Sequence, residues 1–210
     1  MNIQDFISNY HNHPVLFVGT GLSLRYLENS YSWDSLLKKV ASEFNPDPEY
    51  YLDIKAEHMN PAGYAFDQIA AQLEKDFNQH LKDNRHGKFE HINDLFYANM
   101  EKGINISRFK LYLADLLKEV IIKDSASLEI AELKKARKNI SSVITTNYDQ
   151  MIEQLFSFNP LIGNDILLSN PYGSVYKIHG CVTQPGKIII TESDYEEFNR
   201  KYELIRAQLL

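Results

Sequence analysis

Cysteine is almost absent from this chain, since Cys181 is the single one in 210 residues. One cysteine cannot form an internal disulfide bond, and it cannot supply a four-cysteine zinc site. Long apolar runs are missing as well, because none approaches the roughly 20 residues that cross a bilayer. The N-terminal segment carries Asp5 and many polar residues, which is not the pattern of a signal peptide. We therefore expect a soluble protein of a reducing compartment, most simply the cytoplasm, without membrane contact.

Clustered positive charge is also scarce. The formal net charge is −6, and the one dense basic patch covers residues 134–138. Because the C-terminal end of a helix favours cations, this patch is explained as the solvated end of a helix. The charge balance thus argues against direct contact with nucleic acid.

Apolar residues are plentiful, at 44% of the chain, and they predict one domain with a sizeable core. The strand candidates are 15–18, 141–145, 165–168, 174–178 and 187–191. The helix candidates are 33–44, 61–81, 107–121, 128–138 and 149–156. A last helix begins near a Ser193–Glu196 capping box. One strand followed by a long helical stretch and then alternating elements indicates an α/β fold. We expect a Rossmann-like parallel sheet with a helical insertion at about 50–138 and no zinc ribbon.

The first predicted strand, over residues 15–18, is entirely apolar, so we expect it to be fully buried, and it ends in a glycine turn, Gly19-Thr20-Gly21. Glycine allows a phosphate to approach the backbone closely, and free N–H groups at the start of a helix attract anions. The alternative is an ordinary strand-to-helix turn, because the third glycine of the full dinucleotide fingerprint is missing.

Two later strands also end in polar residues. The strand over 141–145 leads into Thr145-Thr146-Asn147 and then Asp149, and the strand over 174–178 leads into His179. Ligands of open α/β sheets bind at the carboxyl ends of strands, so three such ends predict one shared site. The alternatives are that Asn147 and Asp149 cap a helix and that His179 is a structural residue.

Two other groups carry weaker signals. His11 and His13 could hold a metal, but no third ligand is evident, and we predict no metal site. Cys181 follows His179 by two residues and could form a nucleophile pair with it. A buried thiol is the preferred explanation.

Five stretches together resemble the sirtuin-like proteins, and in particular the bacterial sirtuin-like NADase branch. They are Gly19-Thr-Gly-Leu-Ser23, Ser32-Trp-Asp-Ser-Leu-Leu37, Thr145-Thr-Asn-Tyr-Asp149, Lys177-Ile-His-Gly180 and Ile190-Thr-Glu-Ser-Asp-Tyr-Glu196. They follow the family's order along most of the chain.

The resemblance implies a role for each matching residue. Asn147 would bond the ribose on the nicotinamide side, Asp149 would lie close to the carboxamide, and His179 would act as general base. The residues implied in holding the rest of NAD are Gly19, Thr20, Gly21, Ser23 and Thr145. Histidine suits the role of base because its pKa lies near neutrality.

The departures from the family imply which reaction to expect. The zinc ribbon and the Pro-Asp-Phe-Arg segment of sirtuin deacetylases are absent, which favours water over acetyl-lysine as acceptor. We therefore expect an NAD glycohydrolase that depletes NAD in anti-phage defence. A non-catalytic sensor of NAD or ADP-ribose is the alternative, and a protein deacylase ranks last.

The family also implies what surrounds this domain. A further strand with a Gly-x-Ser element usually follows, so the chain resembles the N-terminal part of a longer protein. The surplus of apolar residues leads us to expect a homo-oligomer, or a regulatory domain or partner beyond residue 210.

Overall fold

The central feature of the computed structural model, which describes residues 14–168, 172–201 and 203, is a four-stranded parallel sheet. Its strands are β1 (Val15–Val18), β4 (Ser142–Thr145), β5 (Asn159–Ile162) and β6 (Ser174–Lys177), in the order β1-β4-β6-β5. A separate antiparallel hairpin consists of β2 (Met59–Asn60) and β3 (Gly63–Tyr64). In register, Val18 pairs with Thr145, Thr145 with Lys177, and Lys177 with Ile162. The carboxyl ends of all four strands therefore meet at one edge.

Helices fill the intervals between these strands. They are α1 (Thr20–Tyr26), α2 (Trp33–Phe44), α3 (Tyr50–Glu57), α4 (Phe66–Asp83), α5 (Glu90–Glu101), α6 (Arg108–Leu117), α7 (Ser127–Lys135), α8 (Met151–Phe156) and α9 (Glu192–Lys201), with 3₁₀ turns at Asp124–Ala126, Ala136–Asn139, Gly163–Leu168 and Pro185–Lys187. Helices α3 to α7 lie within residues 50–138, where the helical insertion is expected. The predicted fold class, an α/β protein with a Rossmann-like parallel sheet, is confirmed.

Two large apolar clusters hold the molecule together. One lies on a face of the sheet, where Val143 and Val175 pack against Ile152 and Phe156 of α8. The other is the core of α2 to α6, which we call the helical module, and it also contains Ile188 and Ile190 from the segment that follows β6. The helical module therefore packs against the chain that leaves the carboxyl edge of the sheet.

The first strand is less buried than its apolar sequence predicts. Val15 and Phe17 are 52% and 69% exposed, whereas Leu16 and Val18 pack against the sheet core. Strand β1 lies at the edge of the sheet, and alternate side chains of a strand point to opposite faces. The prediction of a fully buried strand is therefore wrong for one of its two faces.

Two of the other predicted strands are also wrong. Residues 165–168 belong to a 3₁₀ turn, and the strand in this part of the chain is β5, which ends before that turn at Ile162. Its Pro160 is tolerated because β5 is an edge strand. Residues 187–191 form no strand. Ile188 and Ile190 are buried because they pack against the helical module.

Several helix boundaries follow from capping side chains. Ser32 Oγ accepts the N–H of Ser35 at 3.2 Å, and Ser107 Oγ accepts that of Lys110 at 3.3 Å, so these two serines are the N-caps of α2 and α6. The helix predicted to extend to residue 121 ends at Leu117. The unassigned stretch over 50–60 contains α3 and strand β2.

Two predicted helix starts are corrected. The helix expected from Pro61 begins at Phe66, because Asn60 to Gly63 form the turn between β2 and β3, with Gly63 at φ +125°. The last helix is capped by Thr191 and Asp194 rather than by the Ser193 pair. Asp194 Oδ2 accepts the N–H of Thr191 at 3.0 Å, and Thr191 Oγ1 accepts that of Asp194 at 3.4 Å.

Candidate active site

A cavity of about 240 Å³ opens at the carboxyl edge of the sheet. It is lined by Thr20, Ser23, Leu27, Asn29, Ser30, Tyr31, Ser32, Trp33, Leu36, Leu117, Glu119, Thr146, Asn147, Tyr148, Asp149 and His179. Five of the eight residues predicted from the sequence are among them: Thr20, Ser23, Asn147, Asp149 and His179. The other three, Gly19, Gly21 and Thr145, do not line the cavity.

Asn147 ties the turn after β4 to the glycine turn after β1. Its Nδ2 donates to the Gly19 carbonyl oxygen at 3.2 Å and to Ser23 Oγ at 2.9 Å. The Ser23 hydroxyl in turn donates to Asp149 Oδ2 at 2.8 Å. Because the Gly19 oxygen can only accept, these bonds fix which end of the Asn147 amide is nitrogen. The chain of bonds holds three predicted residues in one arrangement.

The remaining atom of this amide has no partner. Asn147 is 2% exposed, and its Oδ1 is buried without a hydrogen bond from the described residues. A buried acceptor left without a donor costs about 1–3 kcal/mol. Asn147 is also a lining residue of the cavity, so the wall of the cavity contains an amide whose oxygen the described residues leave unpaired.

Thr145 and Asp149 shape the turn between β4 and α8. Thr145 is fully buried, and its Oγ1 accepts the backbone N–H of Asn147 at 3.0 Å. Asp149 Oδ1 accepts the N–H of Met151 at 2.9 Å, at the first residue of α8. The capping alternative therefore holds for one oxygen of Asp149, while the other bonds Ser23. Thr145 does not line the cavity, and it holds the backbone of Asn147 through this hydrogen bond.

His179 lies two residues beyond the end of β6. Burial lowers the pKa of its imidazole to about 4, so the ring is neutral at neutral pH. The Tyr195 hydroxyl lies 3.5 Å from Nδ1, and the two rings meet edge-on with centroids 5.3 Å apart. Burial raises the pKa of Tyr195 to about 12, which keeps its phenol protonated.

Gly180 is required for this placement. Its φ is +87°, and a Cβ there would lie 2.2 Å from the Lys187 carbonyl oxygen. The backbone N–H of Ile189 also donates to the His179 carbonyl oxygen at 3.0 Å. A side chain at Gly180 would therefore separate the two backbone segments that hold His179.

The glycine turn after β1 has the opposite character. A Cβ at either Gly19 or Gly21 would meet no atom within 4 Å, and Gly19 has an extended backbone at φ −109°. The protein itself therefore does not require glycine at these two positions. Open space beside a helix start is where a ligand phosphate could approach the backbone.

The charge of the cavity is negative. Among the described residues that line it, Asp149 and Glu119 carry carboxylates, and none is a lysine or an arginine. Trp33, Tyr31 and Tyr148 add aromatic surface. Such a cavity attracts a cation or a developing positive charge more than it attracts a phosphate.

Sequence reasoning assigned no role to Tyr195 or Lys177, although both lie in quoted motifs. Tyr195 contacts His179, and Lys177 Nζ donates to the Asp149 carbonyl oxygen. The available signal for Lys177 was a lysine inside the predicted strand 174–178, and the structure buries all four residues of β6. Cys181 is a buried free thiol in the core of the helical module, as preferred.

The described part of the chain offers no metal centre. It contains no group of three or more His, Cys, Asp or Glu residues that could hold an ion. His11 and His13 lie outside the described residues. Of the helices in the described ranges, none is both long enough and apolar enough to cross a membrane.

The parallel sheet with helices around it defines this class of protein as a Rossmann-like α/β protein, and its cavity lies at the carboxyl edge, where open α/β sheets bind ligands. Residues 141–210 match the family model of the SIR2-like domain. This region is thus similar to the SIR2-like domain, a family whose members are NAD-dependent enzymes. The matched region contains Asn147, Asp149 and His179, whereas Gly19 to Ser23 precede it. A search of the curated proteins found no match.

Proposed function

We propose that this protein is an NAD glycohydrolase, which cleaves the bond between nicotinamide and ribose and releases nicotinamide and ADP-ribose. The observation that carries the proposal is the unpaired Oδ1 of Asn147, buried in a residue that lines the cavity. A ribose hydroxyl supplies the missing donor. Both amide hydrogens of Asn147 are engaged by the protein, so its oxygen is held ready in one orientation.

The size and charge of the cavity support binding of the nicotinamide half of NAD. Its volume of about 240 Å³ is below the roughly 300–1,000 Å³ of sites that enclose a whole drug-sized ligand. Nicotinamide and its ribose would occupy the cavity, and the pyrophosphate would lie at Gly19 and Gly21. The pyridinium of NAD is a cation, which suits a wall that carries Asp149 and Glu119.

The same carboxylates favour the transition state. When the N-glycosidic bond breaks, its electron pair leaves with nicotinamide, and positive charge develops on the ribose as in glycoside hydrolysis. Asp149 stays in place because Ser23 and the N–H of Met151 each bond one of its oxygens. A charge that is already oriented needs no reorganisation during the reaction.

His179 serves as general base. Water attacks the ribose carbon, its oxygen forms the new bond, and its proton passes to the neutral imidazole and then to solvent. The low pKa of about 4 keeps the ring unprotonated throughout the neutral range, but it also makes the imidazole a weaker base than the expected pKa near neutrality would. For Nε2 to accept this proton, Nδ1 must carry the ring hydrogen and donate it to the Tyr195 hydroxyl oxygen, which lies 3.5 Å away.

We further propose that the enzyme depletes NAD in bacterial anti-phage defence, as the resembling branch does, and that it acts in the cytoplasm. An unregulated enzyme of this kind would consume the NAD of its own cell. We therefore propose that a homo-oligomer, or a regulatory domain or partner, controls its activity. Light scattering on the full-length protein, with activity measured on each species, tests this part: a constitutively active monomer would contradict it.

The purified full-length protein, incubated with NAD alone, tests the activity. We expect nicotinamide and ADP-ribose in equal amounts by chromatography, without any peptide. NAD binding in calorimetry without product would indicate the sensor, and nicotinamide release that depends on an acetylated peptide would indicate a deacylase. The absence of both NAD binding and turnover in every assembly state would contradict the proposal.

A further inference from the structure

Lys177 is a buried cation directly behind the candidate site. It is the last residue of β6, and its side chain has no exposed surface. Burying an ammonium group is costly unless the group is paired, so its partners explain why it is there. They are Glu153 of α8 and the backbone carbonyl of Asp149.

The contact with Glu153 balances charge but is poorly aligned. Lys177 Nζ lies 3.0 Å from Glu153 Oε1, and the Glu153 side chain is 7% exposed. Neither carboxylate oxygen of Glu153 has a well-oriented hydrogen bond from the described residues. Burial also raises the pKa of this carboxyl group. The ion pair with Glu153 therefore balances the charge of the ammonium group, which has a second contact at the Asp149 carbonyl oxygen.

That other contact is with the turn that carries the site. The Lys177 ammonium donates to the Asp149 carbonyl oxygen, in the middle of the turn between β4 and α8. Two residues after Lys177, the same chain carries His179. Lys177 thus joins the backbone of the His179 segment to the turn that presents Asn147 and Asp149.

We propose that Lys177 is a positioning residue that fixes the turn of Asn147 and Asp149 against His179, with Glu153 as its counter-ion. The proposal rests on the proposed function for its kinetic consequence, but its structural consequence is independent of it. The competing explanation is that Lys177 only balances the charge of Glu153.

A double substitution separates the two explanations. In the variant Lys177→Met/Glu153→Met both charges are gone, and apolar residues of similar volume often replace a buried ion pair without loss of stability. If Lys177 only neutralises Glu153, the double variant regains the properties of the wild type. If Lys177 positions the turn, the variant folds but the turn is loose. Lys177→Met alone leaves Glu153 unpaired and should be the less stable of the two.

Hydrogen exchange measures the turn directly. The reporters are the backbone N–H groups of Asn147 and Met151, which bond Thr145 and Asp149 within the turn. In the double variant we expect these amides to exchange about tenfold faster, while helices α4 and α6 exchange as in the wild type. Wild-type protection of the turn in the double variant would overturn the proposal, whatever its activity.

Kinetics give the second readout. In the double variant we expect kcat for nicotinamide release to fall about 10²-fold, because a small misplacement of reacting groups costs about that much, with KM changed less than about threefold. Glu153→Gln keeps the Lys177 donor and should retain kcat within about threefold. A double variant with wild-type kcat would overturn the proposal.

A matched control is Arg108→Met, which removes a buried cation of the helical module whose Nε bonds Asn93 Oδ1 at 2.6 Å. It should lower stability without changing turn exchange or kcat per folded molecule. Should wild-type protein show no turnover, the proposed function fails, and hydrogen exchange alone still decides the role of Lys177.

Discussion

Two buried asparagines, Asn93 in the helical module and Asn147 at the sheet edge, are each 2% exposed but differ in their bonds. Asn93 Nδ2 donates to the carbonyl oxygens of Leu81 and Arg85 at 3.0 and 3.3 Å, and its Oδ1 accepts from Arg108 Nε at 2.6 Å. Asn147 uses its Nδ2 fully and leaves Oδ1 unpaired. Both ends of the Asn93 amide are thus hydrogen-bonded within the protein, whereas the Asn147 amide has an unpaired Oδ1.

The difference extends to the two regions around them. In the helical module, the guanidinium carbon of Arg108 lies 3.7 Å from the ring centre of Phe96. Aromatic rings such as those of Phe77 and Tyr112 also pack on each other there. At the sheet edge, a cavity takes the place of such packing. Substitutions in the module should therefore change stability, and substitutions at the edge should change activity.

The largest expected effect sharpens this comparison at His179. His179→Ala should lower the rate of nicotinamide release by about 10²–10⁴-fold, because it removes the general base. Combined with Asn147→Ala, the loss should be smaller than the product of the two single losses, since both residues serve one transition state. Turnover and melting temperature should be measured on all three variants. Wild-type activity in His179→Ala would remove this residue from the mechanism.

Two glycines extend the comparison. Gly21→Ala places its methyl group in open space in the first turn of α1, so stability should stay or rise by about 0.5–1 kcal/mol. The KM for NAD should rise about tenfold if the pyrophosphate lies there. Gly180→Ala would collide with the Lys187 carbonyl and should lower stability instead. An unchanged KM in Gly21→Ala would contradict the placement of the phosphates.

A smaller effect is expected at Tyr195. Tyr195→Phe keeps the ring that meets His179 edge-on and removes the hydroxyl 3.5 Å from Nδ1. The long distance indicates a weak bond, so kcat should fall about two- to fivefold, which corresponds to about 0.5–1 kcal/mol. Steady-state kinetics with melting curves measure this. A loss of 100-fold would mean that Tyr195 itself takes part in the chemistry.

The smallest effect concerns pH. With the pKa of His179 at about 4, the base is neutral above pH 5, so kcat/KM should change less than about twofold between pH 6 and 8. A histidine at its ordinary pKa of about 6.5 would lose most of its activity between pH 7 and 5.5.

The same shift makes stability depend on pH. In the unfolded chain, His179 has its ordinary pKa and binds a proton at about pH 6.5. In the folded protein the ring binds that proton only at about pH 4. Stability contributed by neutral His179 is therefore complete above the ordinary pKa and decreases as pH falls from about 6.5 to 4. Urea unfolding at several pH values, with His179→Ala as the control, measures this contribution. In the kinetic experiment, a plot of kcat/KM against pH with an inflection near pH 6.5 would contradict the burial of the ring.

The sequence predicts which polar residues meet at the carboxyl edge of the sheet better than it predicts the individual strands. Thr20, Ser23, Asn147, Asp149 and His179 line one cavity as expected, because polar residues directly after apolar strands lie at one edge of a parallel sheet. Strand β5 escaped prediction because Pro160 is read as a strand breaker, although an edge strand tolerates it.

Residues 187–191 were predicted as a strand because their apolar run fits either a sheet or another buried segment. Only tertiary packing against the helical module distinguishes the two. The contacts of Lys177 and Tyr195 depend on residues more than 15 positions away, and no local pattern encodes them.

The most direct test of the central claim compares Asn147→Ala with Asn93→Ala in the full-length protein. For Asn147→Ala we predict a loss of about 10²–10³-fold in nicotinamide release and only about 1 kcal/mol in urea unfolding, since water in the cavity can reach the freed groups. For Asn93→Ala, which leaves buried Arg108 without its acceptor, we predict a loss of about 2–4 kcal/mol and wild-type turnover per folded molecule. The reverse pattern, with Asn147→Ala destabilised and its activity falling only in proportion to folded protein, would contradict the account.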